Sequence, residues 1–282
     1  MRVLPSNVPR RSAPVLLAGA VLFCGCPGGD TVSGPAVEHL PVPQHPFLAP
    51  NGRSNMHDDA YMTDTYETPG PSGVAPVVEL HRYADVLNTC ATLAFDAEGR
   101  ILTTSAVLLQ FSMLLLDPDT LEPLASYPLP PRDPSDPLFP YDDTSGAAYF
   151  VVDERDRLLL TDGENAIQIL AVSAAGDSFV RDERHDLAAH VVAMTPPARD
   201  HVQMTIPDWS GRYLWWTTRY GVVGTVERVG GAVATVVLDG EEIENSFAVG
   251  EDGVYVVTDH ALYRFHADAA GVPTTDWRAA YD

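Results

Sequence analysis

The chain has 282 residues and a formal net charge of -22, and it contains arginine but no lysine. A surface this acidic offers no basic face for phosphate neutralisation, which argues against nucleic acid as a partner. The absence of lysine excludes Schiff-base chemistry and the phosphate-gripping lysine of a P-loop.

At the start, Arg2, Arg10 and Arg11 accompany an apolar run from Ala13 to Phe23 that is too short to span a bilayer. Positive residues followed by such a run are the first two parts of a bacterial secretory signal. The third is Cys24-Gly25-Cys26, which resembles a lipobox, where the cysteine after a small residue is acylated and becomes the first mature residue. Phe23 and Cys24 depart from that pattern, and ordinary signal cleavage is the alternative. On the lipobox reading, residues 1–25 are a signal peptide and Cys26 carries the lipid. The chain is then an exported periplasmic or cell-surface lipoprotein, attached to a membrane through its anchor. Cys90 is the one cysteine left, and no internal disulfide forms.

After Cys26, residues 26–43 are rich in Pro, Gly and polar residues and predict a flexible tether. Residues 44–75 predict an irregular capping segment, because HPFLAPNGRSNMHDDAYMTDTY from His45 is too aromatic for a linker. In it Asn51, Asn55, His57, Asp58, Asp59 and Asp64 interleave with Met56, Tyr61 and Tyr66. An imidazole beside carboxylates suits a transition metal or general-base work, which makes Asn55, His57, Asp58 and Asp59 candidate ligand-binding residues. Adjacent residues of an extended chain point in opposite directions, so capping by hydrogen bonds and aromatic packing is the competing expectation.

From residue 76 the chain repeats itself. TLAFDAEGRILTTS from Thr92, YFVVDERDRLLLTD from Tyr149, MTIPDWSGRYLWWTT from Met204 and SFAVGEDGVYVVTD from Ser246 each join two apolar runs through a polar turn. The turns align at Asp96 to Gly99, Asp153 to Asp156, Asp208 to Gly211 and Gly250 to Gly253, where a closing Gly or Asp suits positive φ. Two more strand-like runs follow each hairpin, and four strands per repeat make a propeller blade. The expectation is an all-β protein, a β-propeller over 76–282 with four-stranded antiparallel blades. About four blades are visible, near 91–129, 147–187, 202–239 and 246–281, in an incomplete ring. The run PVVELHRY from Pro76 to Tyr83 is a strand without a hairpin of its own. A parallel β-helix is the structural competitor, with shorter rungs.

The last repeat, ENSFAVGEDGVYVVTDHALYRF from Glu244 to Phe265, resembles the blade signature of the senescence marker protein/gluconolactonase and strictosidine-synthase-like propellers. The resemblance covers one blade well and the others loosely. It implies that Asn245 points into the central channel and can ligate a divalent metal, and it implies a lactonase activity. The carboxylate motifs that those families pair with this asparagine have no match here.

Independently of that resemblance, Asn88, Asp142, Asp143, Glu244 and Asn245 all lie just before inner strands, where a propeller brings distant residues together, and offer the oxygen ligands calcium prefers. The competing reading makes them ordinary turn residues that bond nearby backbone. Trp209, Trp215 and Trp216 suggest a stacking surface, although consecutive Trp215 and Trp216 face opposite sides of one strand, so at least one belongs to the core. Cys90 has no histidine neighbour and reads as a small buried hydrophobe. Three functions stay open: a binding or scaffold module for an envelope protein or small ligand, a calcium-dependent lactonase-like hydrolase, and a quinone-dependent redox propeller.

Overall fold

The computed structural model describes residues 43–50, 53, 93–107, 110–130, 149–193, 200–243 and 247–281. The strand predicted at 76–83 lies outside them. Among the described residues all sixteen regular elements are strands, and no helix is long and apolar enough to cross a membrane.

The strands fall into four sheets of four, each antiparallel and wound in chain order. The first holds β1 (Leu93–Phe95), β2 (Ile101–Val107), β3 (Gln110–Leu116) and β4 (Pro123–Pro128). The second holds β5 (Phe150–Val152), β6 (Arg157–Thr161), β7 (Ala166–Val172) and β8 (Phe179–Asp186). The third holds β9 (Val202–Pro207), β10 (Tyr213–Thr218), β11 (Val222–Glu227) and β12 (Val233–Val237). The fourth holds β13 (Ala248–Gly250), β14 (Gly253–Val257), β15 (Ala261–Ala267) and β16 (Pro273–Ala280).

Why these sheets are blades follows from what packs on what. First strands meet first strands, β1 on β5 and β5 on β9, while outer strands meet outer strands, β4 on β8 and β12 on β16. Burial runs the same way: β9 is buried along its whole length, whereas β16 is exposed at all but its first residue. Sheets that touch face to face, with buried first strands inside and exposed fourth strands outside, are propeller blades.

The cores lie between blades, and strand alternation sorts residues into them. In blade two, Val151, Leu159 and Ile169 form a cross-strand row that joins the core shared with blades three and four. The alternate residues Phe150, Val152, Leu158, Leu160 and Leu170 enter the core shared with blade one. Burying each of these side chains contributes on the order of 1.5–3 kcal/mol. In blade three, Trp216 lies across Gly224, its cross-strand partner, where any Cβ would run into the indole.

The hairpin turns close as their sequences predict. Gly99, Asp156 and Gly211 take φ of 81°, 62° and 69° at the position that ends each turn. The aspartate that opens the turn satisfies the backbone it reverses. Asp96 Oδ1 accepts from Glu98 N and Arg100 N at 3.1 and 2.8 Å, and Asp153 Oδ1 accepts from Arg155 N and Arg157 N, both at 2.9 Å.

Residues 43–50 and Arg53 form a strap over these turns. Ala49 N donates to Val152 O at 2.8 Å, and Leu48 bridges Asp153, so the strap pairs with the inner edge of β5. Arg53 reaches Phe95 O in blade one at 3.3 Å and Asp156 Oδ1 in blade two at 2.6 Å. Phe47 and His45 reach blade three, against Gly211 and Trp209 respectively. Inner strands of a propeller leave one edge unpaired, and the strap covers part of it.

Candidate functional site

A cavity of about 530 Å³ opens between blades three and four. Three turns rim it: Asp208–Arg212 between β9 and β10, Gly250–Gly253 between β13 and β14, and the start of the β15–β16 turn at Asp268. In a four-strand meander the first and third turns lie at the same end of a blade, which places the cavity mouth and the strap on one face. Trp215, Tyr213 and Phe265 form its buried aromatic wall, and half-buried Trp209 stands at the rim.

The polar lining is mostly acidic. Asp208 Oδ1 accepts from Tyr213 N at 3.1 Å and its Oδ2 from Ser210 Oγ at 2.7 Å. Asp268 Oδ1 accepts from Ala270 N at 2.8 Å and Val272 N at 2.9 Å. Among the described residues neither carboxylate has a guanidinium or imidazole partner. Asp252 accepts from Tyr255 OH at 2.8 Å and pairs with Arg264 at 3.0 Å. Arg212 has its charge answered by Glu227 at 3.0 Å, and its guanidinium sits 4.8 Å from the centre of the Tyr213 ring. The Tyr213 hydroxyl is buried without a hydrogen-bond partner in the described structure.

One imidazole lines the cavity. His266 Nδ1 donates to Asp276 Oδ1 at 2.7 Å, while Arg264 Nε bonds the other oxygen at 3.0 Å. Partial burial works to raise the Asp276 pKa, but the bonds from Arg264 and His266 outweigh it and hold the carboxyl below its ordinary range. An ionised Asp276 holds a proton of His266 on Nδ1 and turns Nε2 away from the carboxylate.

The strap touches the site through Trp209. His45 is buried, and its Nδ1 accepts from Phe47 N at 3.1 Å, so the ring proton sits on Nε2. Nε2 faces the Pro207 carbonyl without reaching hydrogen-bond geometry. Burial pushes the imidazole pKa down to about 4; the Pro207 carbonyl opposes this, and the charge of Arg228 adds to it.

Cys26 and Cys90, the metal candidates Asn88, Asp142, Asp143, Glu244 and Asn245, and the ligand candidates Asn55, His57, Asp58 and Asp59 all lie outside the described residues. A described aspartate in the same kind of position spends its carboxylate mostly on groups distant in sequence. Asp200 precedes β9, is buried, and spends its oxygens on Val192 N, His201 N and Tyr220 N, each at 3.1 Å, and on Thr218 Oγ1 at 2.7 Å.

Of the tryptophans, Trp215 and Trp216 are both buried, on opposite faces of β10, and Trp209 and Trp215 line the cavity. The cavity's carboxylates went unnoticed in the sequence because they read as turn formers. A second carboxylate group, Asp96, Glu98 and Asp156, gathers at the turns of blades one and two. Arg100 pairs with Asp96 at 2.6 Å and Glu98 at 3.0 Å, and Arg53 with Asp156 at 2.6 Å, so arginines already compensate the charge a cation would meet.

No protein-family model and no curated protein matches the chain. Solved structures do. A protein from Lactobacillus plantarum is 10% identical, with TM-score 0.48 over 66% of this chain and 53% of that one. BamB from Moraxella catarrhalis is 13% identical, with TM-score 0.41 over 66% and 51%. The periplasmic gluconolactonase PpgL of Pseudomonas aeruginosa is 16% identical, with TM-score 0.46 over 67% and 55%. The chain thus spans about half the length of these structures.

Proposed function

We propose that this chain is an exported propeller that works by binding, taking a ligand or a protein segment into the cavity between blades three and four. The observation that carries this reading is the cavity: its volume of about 530 Å³ falls in the range of ligand sites, and an aromatic wall sits beneath a polar rim. The rigid inter-blade cores hold that wall in place, and the strap braces the rim through Trp209. The cell envelope is the proposed location, on the strength of the basic residues, the apolar run and Cys26 at the start of the chain.

The test is occlusion. Ala269 is an exposed residue of the lining, and Ala269→Trp fills the mouth without disturbing a core. Immobilised protein is challenged with envelope extract, and whatever it retains is released by the A269W change. Equal retention by both proteins ends the reading.

A hydrolytic reading has a narrower basis, the His266–Asp276 pair, which presents an imidazole nitrogen as a base at the cavity. Loss of lactone hydrolysis in His266→Gln, with an unchanged melting temperature, supports it. Absence of hydrolysis in the parent protein removes it.

A further inference from the structure

Among the described strands, the fourth of each blade is paired on one side only. Three of these outer edges are guarded. β4 begins and ends on proline, β8 carries Arg181, Asp182, Glu183 and Arg184, and β16 carries Pro273, Asp276 and Arg278. Charges and prolines on an edge keep other strands from adding to it. β12 has neither, and the chain stays free of both from Val229 to Leu238. Val229 and Val237 are 86% and 49% exposed in that stretch.

The register fixes which groups this edge offers. Glu227 N donates to Ala232 O and Leu238 N to Gly221 O, both at 2.8 Å, at the two ends of the β11–β12 pairing. Bonded pairs alternate along an antiparallel ladder. Ala234 and Val236 therefore turn their backbone groups to β11, while Val233, Thr235 and Val237 turn theirs away. Among the described residues no hydrogen bond reaches those outward N–H and C=O groups.

We infer that β12 is a dimerisation edge. A second copy of this chain adds its own β12 antiparallel to it, across a twofold axis at Thr235, and the two third blades become one continuous sheet. The edge matches itself position by position. Centring the pair on Thr235 sets Val233 against the partner's Val237 and Thr235 against the partner's Thr235, so β-branched side chains meet across the strands. Each outward N–H of the three residues then finds a carbonyl, and each outward carbonyl an N–H. The same register sets Asp239 against the partner's Gly231 rather than against its own counterpart. That matters between copies that each carry a formal charge of -22, because like charges directly opposite destabilise a strand pair. An uncharged edge gives a foreign strand nothing to select by, whereas the strand that fits it throughout is its own copy. A twofold contact is closed, so association stops at two. β12 takes no part in the lining of the cavity, and the inference stands apart from the binding reading.

Sedimentation velocity of the full chain in neutral detergent, across the micromolar range, is the experiment. The expected result is a reversible monomer–dimer equilibrium, weak because so short an edge buries less than stable interfaces do. In hydrogen exchange the amides of Val233, Thr235 and Val237 should be open in dilute protein and protected in concentrated protein. Thr235→Pro deletes an N–H that bonds nothing within one copy, at an edge position where proline is tolerated. It should raise the dissociation constant at least about tenfold and leave the melting temperature of dilute protein unchanged. Thr235→Lys sets like charges face to face at the axis, should weaken the dimer as much, and carries the test if the proline variant fails to fold. A chain that stays monomeric throughout, amides already protected in dilute protein, growth beyond the dimer, or a dimer that survives in either folded variant overturns the inference.

Discussion

His45 stands edge-on to Trp209, with ring centroids 4.7 Å apart and 76° between the planes. One ring belongs to the strap ahead of the propeller and the other to the cavity rim, so what loosens the strap reaches the site.

Acid is one such influence. The His45 imidazole has a pKa of about 4 in the fold against 6.5 for the free side chain, so the unfolded chain takes up the proton first. Stability from this group is complete above pH 6.5, is lost as pH falls toward 4, and changes no further below that. The loss is on the order of 3 kcal/mol. Urea unfolding between pH 7.5 and 4.5 should show a steeper decline for the parent than for His45→Asn, which keeps an acceptor for Phe47 N. Parallel curves would count against the assignment.

Gly211 is the second lever. It takes φ of 69°, and a Cβ there would run into the Phe47 ring. Gly211→Ala should therefore strain the turn and lift the strap, lowering stability by about 1–3 kcal/mol. Hydrogen exchange should show faster loss at Ala49 N, which bonds Val152 O in the parent. Unchanged protection at that amide refutes the coupling.

Between blades two and three the decisive group is Asp153, whose side chain is fully buried. Its Oδ2 accepts from Arg157 Nη2 at 2.8 Å and from Arg228 Nη2 at 3.3 Å, the latter reaching over from the β11–β12 turn. Asp153→Ala leaves two largely buried guanidinium groups short of a partner and should cost about 3–5 kcal/mol. Calorimetric melting is the measurement, and a shift no larger than that of an exposed Asp→Ala control would contradict the role.

The proposed lipid attachment is tested at Cys26. Replacing it with alanine should abolish incorporation of labelled palmitate and move the protein from membrane to soluble fractions. A lipid label that survives in C26A points to another site or another route.

Much of the architecture was legible in advance because it depends on local chemistry. The four turns are spelled by an opening Asp or Gly and a closing Gly or Asp, and alternating apolar runs flank them, so the hairpins at Asp96, Asp153, Asp208 and Gly250 could be placed from the chain alone. Period-two alternation also separates Trp215 from Trp216 onto two faces. The cavity was not legible. Asp208, Asp252 and Asp268 come from three separate turns, and each of them reads as a turn former.

The amino-acid order by itself determined the strands, their pairing into four meanders and the acidic character of the surface, since turn chemistry, side-chain alternation and charge are properties of neighbours in sequence. The stacking of blades, the seating of His45 on Trp209 and the meeting of carboxylates with an aromatic wall were decided only in three dimensions. The meeting of residues as distant as Asp208 and Asp268 at one cavity arises from how whole sheets bury their faces against one another, and no local pattern encodes it.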